Sequence, residues 1–258
     1  MAYTFKTSIA NKKNYGGVRS ISNIKYIVIH YTGNDGDTDE NNGKYFKNNI
    51  VKASAHYFVD DESVTQSVPD NYVAWSVGGN KYSNCSTTGG GRYYGTVNNT
   101  NSISIEICDD VKNGVVYPSA KTIENAVEFT KTLMKKYNIP MPRVIRHFDV
   151  VGKSCPAYWC GTAEKNQKWL TEFWNKLGST QTTATPSSGF ASYKVKVICS
   201  TLNIRKTPNW SASDVVGVIK DKGTYTIVAE TTLDGTKFGK LKSGQGWISL
   251  GKDYVKRV

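Results

Sequence analysis

The chain has 258 residues, of which 38% are hydrophobic and 12% aromatic, a composition that excludes an intrinsically disordered protein. Its 33 Lys and Arg against 21 Asp and Glu give a net charge of +12, which favours a polyanionic partner such as a nucleic acid, an anionic membrane or an anionic cell wall. Solubility alone is the alternative explanation for this charge. No apolar run reaches the ~18 residues of a membrane span or forms the core of a secretory signal peptide, so we expect neither.

The N-terminal part alternates strand and helix patterns. The apolar run at 24–31 predicts a buried strand, and a second strand at 101–108 carries Ile103, Ile105 and Ile107 on one face. Together the patterns predict an α/β fold with a mixed central sheet flanked by helices. The other predicted elements are a helix at 38–51, a hairpin of 56–61 and 63–68, a helix at 119–137, a strand at 142–147 and a helix at 163–177; 85–95 is expected to form a mobile loop over a groove.

A change of composition follows these elements. Residues 178–192 are uncharged and rich in Ser, Thr, Gly, Ala and Pro, which predicts a linker between domains at 1–177 and 193–258. The second domain holds 12 basic and 5 acidic residues, so it carries +7 of the net charge. It shows no helical period, and its short strands predict a small all-β barrel. These strands are at 193–198, 214–219, 224–230, 237–242, 246–250 and 253–258.

Histidine and cysteine are the residues that suggest chemistry. Five cysteines without a paired spacing argue against a disulfide scaffold. His30 ends the first strand, His147 follows the strand at 142–147, and Cys155 lies in the next loop. Two imidazoles and a thiolate leave one position of a tetrahedral zinc ion open, which is the pattern of a catalytic site. The alternative is that these are ordinary core or surface residues.

Two charged side chains near these candidates suggest catalytic roles. Glu106 lies on the polar side of its strand, where a carboxylate can accept a proton from a zinc-bound water. Lys153 precedes Cys155 by two residues, and its ammonium can stabilise an oxyanion. The alternatives are a solvated strand carboxylate and an ordinary exposed lysine.

Four phrases occur in register along the N-terminal part: IVIHYTG (27–33), SAHYFVDD (54–61), NSISIEIC (101–108) and RHFDVVGKSCPA (146–157). Over residues 20–177 the chain thereby resembles the zinc-dependent N-acetylmuramoyl-L-alanine amidases of the phage-lysozyme type, and also the peptidoglycan recognition proteins. The resemblance implies a mixed sheet flanked by helices, with a zinc ion in an open groove.

Matched motif by motif, the resemblance implies zinc ligands at His30, His147 and Cys155 and catalytic roles for Glu106 and Lys153. His56 matches a recurring histidine of the family that is not a metal ligand, so a structural or groove-lining role is expected. Some members carry Tyr where this chain has Ala55, and those members often lack the strand carboxylate. This chain therefore resembles the variant that uses Glu.

The C-terminal domain resembles bacterial SH3-like cell-wall-binding domains. The phrases LNIRKTPN (202–209) and GQGWISLGKDYVK (244–256), with Gly217 between them, carry this resemblance. It implies that the domain anchors the chain on peptidoglycan or wall polymers. A basic barrel without a ligand and a nucleic-acid-binding barrel are the alternatives.

The sequence thus predicts a peptidoglycan hydrolase that cleaves the amide bond between N-acetylmuramic acid and L-alanine of the stem peptide and so lyses bacterial cells. One Zn²⁺ per chain is the expected cofactor. The expected partners are peptidoglycan and anionic wall polymers, without nucleic acid, and the chain is expected to be monomeric. The absence of a signal peptide predicts a phage endolysin that is made in the host cytoplasm and acts on the wall.

Two alternatives come from other classes. A non-catalytic peptidoglycan-recognition protein is the first, and such relatives typically lose the third zinc ligand, which is present here as Cys155. A basic nucleic-acid-binding protein is the second. Only the charge supports it, because the chain has no zinc-finger spacing and no glycine-rich phosphate-binding loop.

Overall fold

The computed structural model describes residues 3–178, 192–208, 210, 214–233 and 236–258. The chain divides into two units, Met1–Thr180 and Gln181–Val258. Apart from its end residues Gly178 and Ser192, the predicted linker at 178–192 lies outside the described residues.

Eight strands and six α-helices are the main elements in the described part of the first unit. The strands are β1 (Thr4–Thr7), β2 (Tyr15–Val18), β3 (Tyr26–Tyr31), β4 (Tyr57–Val59), β5 (Ser63–Gln66), β6 (Tyr72–Ala74), β7 (Ser102–Ile107) and β8 (Val144–Arg146). The helices are α1 (Asp39–Asn48), α2 (Cys85–Thr88), α3 (Ala120–Tyr137), α4 (His147–Val151), α5 (Ala163–Lys168) and α6 (Asn175–Leu177), with a π-helical turn, Trp169–Trp174, between the last two.

The central sheet has the strand order β1-β5-β4-β7-β3-β8. Only the hairpin pair β4–β5 is antiparallel among these strands; the other pairs are parallel. The mixed sheet and the hairpin predicted from the sequence are therefore confirmed. Strands β2 and β6 form a separate antiparallel pair that the sequence did not predict.

Helices cover both faces of the sheet. Ile29 and Ile105 point to the face where α3 and the C-terminal aromatic residues Trp159 and Phe173 pack. On the other face, Val28 packs with Val150 and Val151 of α4, and α1 contacts β4 and β5. The predicted helices at 38–51 and 119–137 are confirmed, and Thr38 and Ser119 cap them by accepting the N–H of Asn41 and Thr122.

Two predicted elements differ from the structure. The predicted strand at 142–147 ends at Arg146, because His147 begins α4. The segment predicted as a loop over the groove instead bonds to α4: the N–H of Gly91 donates to Phe148 O at 3.0 Å and that of Tyr93 to Asp149 O at 2.9 Å. The groove described below is not lined by this segment.

In the second unit, the described residues form one antiparallel sheet in the order β11-β10-β14-β13-β12-β9-β15. Its core consists of alternate apolar residues such as Val195, Ile227 and Ile248. The six predicted strands are confirmed, and β10 is an addition. The bounds are β9 (Tyr193–Val197), β10 (Leu202–Arg205), β11 (Val215–Ile219), β12 (Thr224–Leu233), β13 (Thr236–Leu241), β14 (Trp247–Ser249) and β15 (Val255–Arg257).

A search of the helices in the described ranges finds none that combines the length and apolar character needed to cross a bilayer.

Candidate active site

His30 and Glu106 lie side by side on neighbouring parallel strands. The register of β3 and β7 sets the two residues directly opposite each other. Because Ile29 and Ile105 face the α3 side, alternation turns His30 and Glu106 to the side covered by α1 and α4. His30 Nδ1 lies 4.0 Å from Glu106 Oε1.

His147 reaches the same place from the other side of β3. Strand β8 pairs with β3 and aligns its last residue, Arg146, with Ile29, so His147, the first residue of α4, lies beside His30. The rings of His30 and His147 have centroids 4.6 Å apart. Arg146 fixes the start of α4, because its N–H donates to Asp149 Oδ2 at 2.8 Å and its guanidinium to Asp149 Oδ1 at 2.7 Å.

Cys155 completes the group after a tight turn. Gly152 caps the end of α4, and its φ of +86° lets the chain reverse. The N–H of Phe148 then donates to the Cys155 carbonyl at 2.9 Å. Cys155 Sγ lies 3.8 Å from His30 Nδ1. One donor atom from each of His30, His147 and Cys155 lies within 4.8 Å of the others, and all three residues are buried.

These donor atoms fit a metal ion. His30 Nε2, both ring nitrogens of His147 and Glu106 Oε2 are buried and have no hydrogen-bond partner in the part of the chain that the structure describes. Buried polar atoms without a partner are rare and cost free energy. Two imidazoles and one thiol are the donor types that zinc prefers, and three protein ligands leave a position open for substrate or water.

Burial and Lys153 together disfavour positive charge on the histidines. Burial lowers the pKa of His147 to about 4, with the Lys153 charge adding to the effect. Burial likewise sets the pKa of His30 well below 6.5, and it raises the pKa of the Cys155 thiol. Both imidazoles are therefore neutral at neutral pH, which is the form that binds a metal.

Glu106 and Lys153 face the same cleft as the three donors. Burial raises the pKa of Glu106 to about 8, and the positive charge of Lys153 opposes this rise. A carboxyl group in this range can both accept and return a proton near neutral pH. Lys153 is exposed and follows Gly152 directly, so it extends from the turn that brings Cys155 back.

The cleft is open and has a volume of about 320 Å³. Phe46 and Trp75 contribute aromatic walls. A second hollow of about 550 Å³ shares Glu106 and Lys153 with the cleft and includes Tyr45 of α1. Sequence reasoning missed these three aromatic residues. In the sequence they are marked only as large aromatic residues in polar segments. That pattern does not show that the segments meet at one cleft.

His56 is buried and is not a member of the donor group. Its Nδ1 accepts the Ser104 N–H at 3.1 Å, and the Arg19 guanidinium lies 2.8 Å from its Nε2. Burial lowers the pKa of His56 to about 3, and the Arg19 charge adds to this effect. These contacts join the start of β4 to β7, which supports the structural alternative of the two predicted roles. Sequence reasoning missed Arg19, because no motif marks it.

The remaining cysteines were not expected to form a disulfide scaffold. The structure contains no disulfide among the described residues; Cys85, Cys108, Cys160 and Cys199 are free thiols, as is Cys155. Cys160 Sγ lies 3.8 Å from Ser154 Oγ and is not among the grouped donor atoms.

Comparison with known proteins agrees with this geometry. The family model described as N-acetylmuramoyl-L-alanine amidase matches residues 20–158, which include every residue of the donor group. The chain belongs to the N-acetylmuramoyl-L-alanine amidase family. It is 30% identical over 271 residues to the amidase BlyA of Bacillus subtilis (strain 168), covering 95% of this chain and 70% of BlyA.

Other relatives match the first unit. The amidase CwlL of Bacillus licheniformis is 30% identical over 179 residues, which cover 67% of this chain and 47% of CwlL. The chain thus spans about half the length of this relative. The solved catalytic domain of XlyA superposes with a TM-score of 0.51 at 27% identity, covering 68% of this chain and 99% of that domain.

Proposed function

We propose that this member of the family is a zinc-dependent peptidoglycan hydrolase, which cleaves the amide bond between N-acetylmuramic acid and L-alanine of the stem peptide. The observation that carries the proposal is the group of His30, His147 and Cys155, buried at the base of an open cleft beside a carboxylate. The names of the relatives indicate which amide bond is cleaved, and the donor group supports a metal-assisted hydrolysis.

The mechanism follows from the side chains around the cleft. When bound by His30, His147 and Cys155, zinc would polarise the amide carbonyl and lower the pKa of water. Glu106, which lines the cleft beside the donor group, accepts the proton of the attacking water and returns it to the leaving amine. Lys153 stabilises the negative charge that develops on the carbonyl oxygen.

The second unit supplies the anchoring role in this proposal. Its antiparallel sheet of short strands is compatible with an SH3-like barrel, and the unit carries +7 of the net charge of +12. The domains are then a catalytic domain at 1–177, a linker at 178–192 and a wall-binding domain at 193–258. Such a protein would act on the bacterial wall as a phage endolysin.

Metal content and product analysis test the catalytic proposal. We expect one zinc per chain, loss of activity on chelation, and free stem peptides together with peptide-free muramic acid in mass spectra of digested peptidoglycan. Cys155→Ser should lose zinc and activity by orders of magnitude, since a hydroxyl is a poor zinc ligand. Cys85→Ser is the matched control, because Cys85 is also buried but bonds Val151 O at 3.5 Å outside the site.

Two results would contradict the proposal. Full hydrolysis by protein without metal would remove zinc from the mechanism. Binding of peptidoglycan without release of stem peptides would favour the recognition-only alternative, although the presence of Cys155 argues against it.

A further inference from the structure

A set of lysines lies on one face of the sheet in the second unit. Strand β9 exposes Lys194 and Lys196, which alternate with the buried Val195 and Val197. The neighbouring strand β15 exposes Lys256. We refer to Lys194, Lys196 and Lys256 as the lysine face.

The strand register brings these lysines together. Lys196 lies directly opposite Lys256 on β15, and Thr224 of β12 is its neighbour on the other side. Lys194 lies opposite Thr226 of β12. Side chains directly opposite on antiparallel strands have Cβ atoms about 5 Å apart, and residues i and i+2 of one strand are about 7 Å apart. Three ammonium groups and two hydroxyls therefore share one small surface.

Among the described residues, no carboxylate forms an ion pair with these lysines. Strands β9 and β15 contain neither Asp nor Glu. The one acid of β12, Glu230, accepts the Tyr193 hydroxyl and pairs with Lys237 at 3.6 Å. Like charges directly opposite each other destabilise a sheet, and a bound anion would remove that repulsion.

We propose that the lysine face binds an anionic phosphodiester polymer of the bacterial wall. This inference rests on the proposed function, since it names the ligand that holds the enzyme on its substrate. Lysine binds phosphate as a point charge, and hydroxyls such as those of Thr224 and Thr226 can donate to phosphate oxygens. Each contact between a lysine and a phosphate is weak. A flexible polymer with recurring phosphates can contact several of the lysines at once, so the contributions to binding add up.

A nucleic acid offers the same phosphates but is the poorer match. Proteins that bind single strands add exposed aromatic rings on which bases stack. The aromatic residues of these strands do not lie on the lysine face, because Tyr225 aligns with the buried Val195 and Tyr193 packs against the core of the unit. The lysine face therefore offers charge without stacking.

Binding of labelled poly(glycerol phosphate) to the full chain tests the inference. The triple variant Lys194→Gln, Lys196→Gln, Lys256→Gln should bind about tenfold or more weakly, since each lysine near an anionic surface contributes substantially. Its salt dependence should also be shallower by about one power of the salt concentration per lysine. The control, Lys220→Gln, Lys222→Gln, Lys252→Gln, removes the same charge from exposed lysines of the same unit and should bind almost normally.

Several outcomes separate this inference from others. Equal losses in both triple variants would show that only net charge matters, and would overturn it. If single-stranded DNA binds as tightly as poly(glycerol phosphate) and is weakened equally by the lysine-face variant, the surface is a general polyanion site and the inference fails. If the lysine-face triple variant also binds peptidoglycan stripped of its phosphate polymers more weakly than the wild type does, the ligand lies in the peptidoglycan itself and the inference fails.

Release of stem peptides from soluble muropeptides separates the inference from the proposed function. Both triple variants should keep this activity, because the lysines lie outside the catalytic unit. Retained activity with unchanged polymer binding would overturn the inference and leave the amidase proposal intact.

Discussion

Glu106 is more buried in the structure than its sequence pattern indicates, and its pKa is raised as a result. Alternation along β7 predicted that its side chain leaves the isoleucine face, and the structure confirms this. Alternation did not predict that the opposite face is also covered, so that Ser102 and Ser104 are only 1% exposed. The raised pKa of Glu106 follows from this second layer, which the pattern of one strand cannot reveal.

Replacing Glu106 separates proton transfer from metal binding. We expect both Glu106→Gln and Glu106→Ala to lose about 10²–10⁴-fold in turnover, the usual contribution of a general base. Gln can still hydrogen-bond water but cannot accept its proton. Both variants should keep zinc, because Glu106 lies outside the group of three donor residues. Turnover and zinc content measured on the same samples check this, and zinc loss in Glu106→Gln would make Glu106 a ligand.

Asp70 is a second carboxylate, with a structural role. It accepts the Tyr57 hydroxyl at 2.6 Å, Lys136 Nζ at 2.9 Å and the Tyr137 hydroxyl, so it ties α3 to the segment before β6. Burial alone would raise the pKa of Asp70, but these donors outweigh burial and lower it below 3.8. The ionised form therefore stabilises the fold.

We expect Asp70→Asn to lower the free energy of unfolding by about 1–3 kcal/mol at neutral pH. The difference from the wild type should persist above pH 3.8 and shrink as pH falls through the lowered pKa of the folded state, because Asp70 is protonated first in the unfolded chain and then in the folded one. Urea unfolding at a series of pH values measures this. Glu124→Gln, which breaks an exposed ion pair with Lys121, should change the free energy by less than about 0.5 kcal/mol. A pH-independent Asp70→Asn effect would exclude the charge as its cause.

Among the secondary-structure elements, the long helices and strands were predicted from their hydrophobic patterns, whereas short elements were not. Helix α3 was predicted because its apolar residues recur over 18 residues. Helix α4 has five residues, too few to show a period, yet it carries His147 and determines where Cys155 returns. The predicted continuous helix at 163–177 contains a π-helical turn that stacks Trp169 on Phe173, with centroids 5.0 Å apart.

The turn that joins α4 to Cys155 requires glycine at position 152, because a Cβ atom there would clash. A Cβ added there would lie 2.3 Å from Cys85 Sγ, and its φ is +86°. We expect Gly152→Ala to lose about 3 kcal/mol of stability from the backbone strain and the clash together, and to weaken zinc binding. Gly161→Ala is the control, because Gly161 has φ +91° with no atom near an added Cβ, so it should lose only about 1 kcal/mol.

A double variant identifies the clash. Adding Cys85→Ala to Gly152→Ala removes the sulfur atom that the new methyl meets, so the double variant should bind zinc better than Gly152→Ala alone. Thermal unfolding and zinc affinity of the four proteins measure the coupling. Simple additivity would show that backbone strain accounts for the whole effect.

At the scale of the whole molecule, the two units predict separable activities. A chain ending at Leu177 should still release stem peptides from soluble muropeptides, because every donor residue and the cleft lie in the first unit. It should bind intact walls more weakly, since tethering raises the local concentration of the enzyme. Co-sedimentation with walls and peptide release from muropeptides measure the two effects. Equal wall binding with and without residues 178–258 would refute the anchoring role.

The position of β3 in the sheet affects the order in which the molecule assembles. Strand β3 pairs with β7 and β8, so His30 meets His147 only after more than a hundred intervening residues have been placed. Such distant parallel pairings form slowly, because a long loop must close before the contacts stabilise it. If His30, His147 and Cys155 hold the metal as proposed, a growing chain acquires it only after Cys155 has left the ribosome, and activity begins only once the first unit is complete.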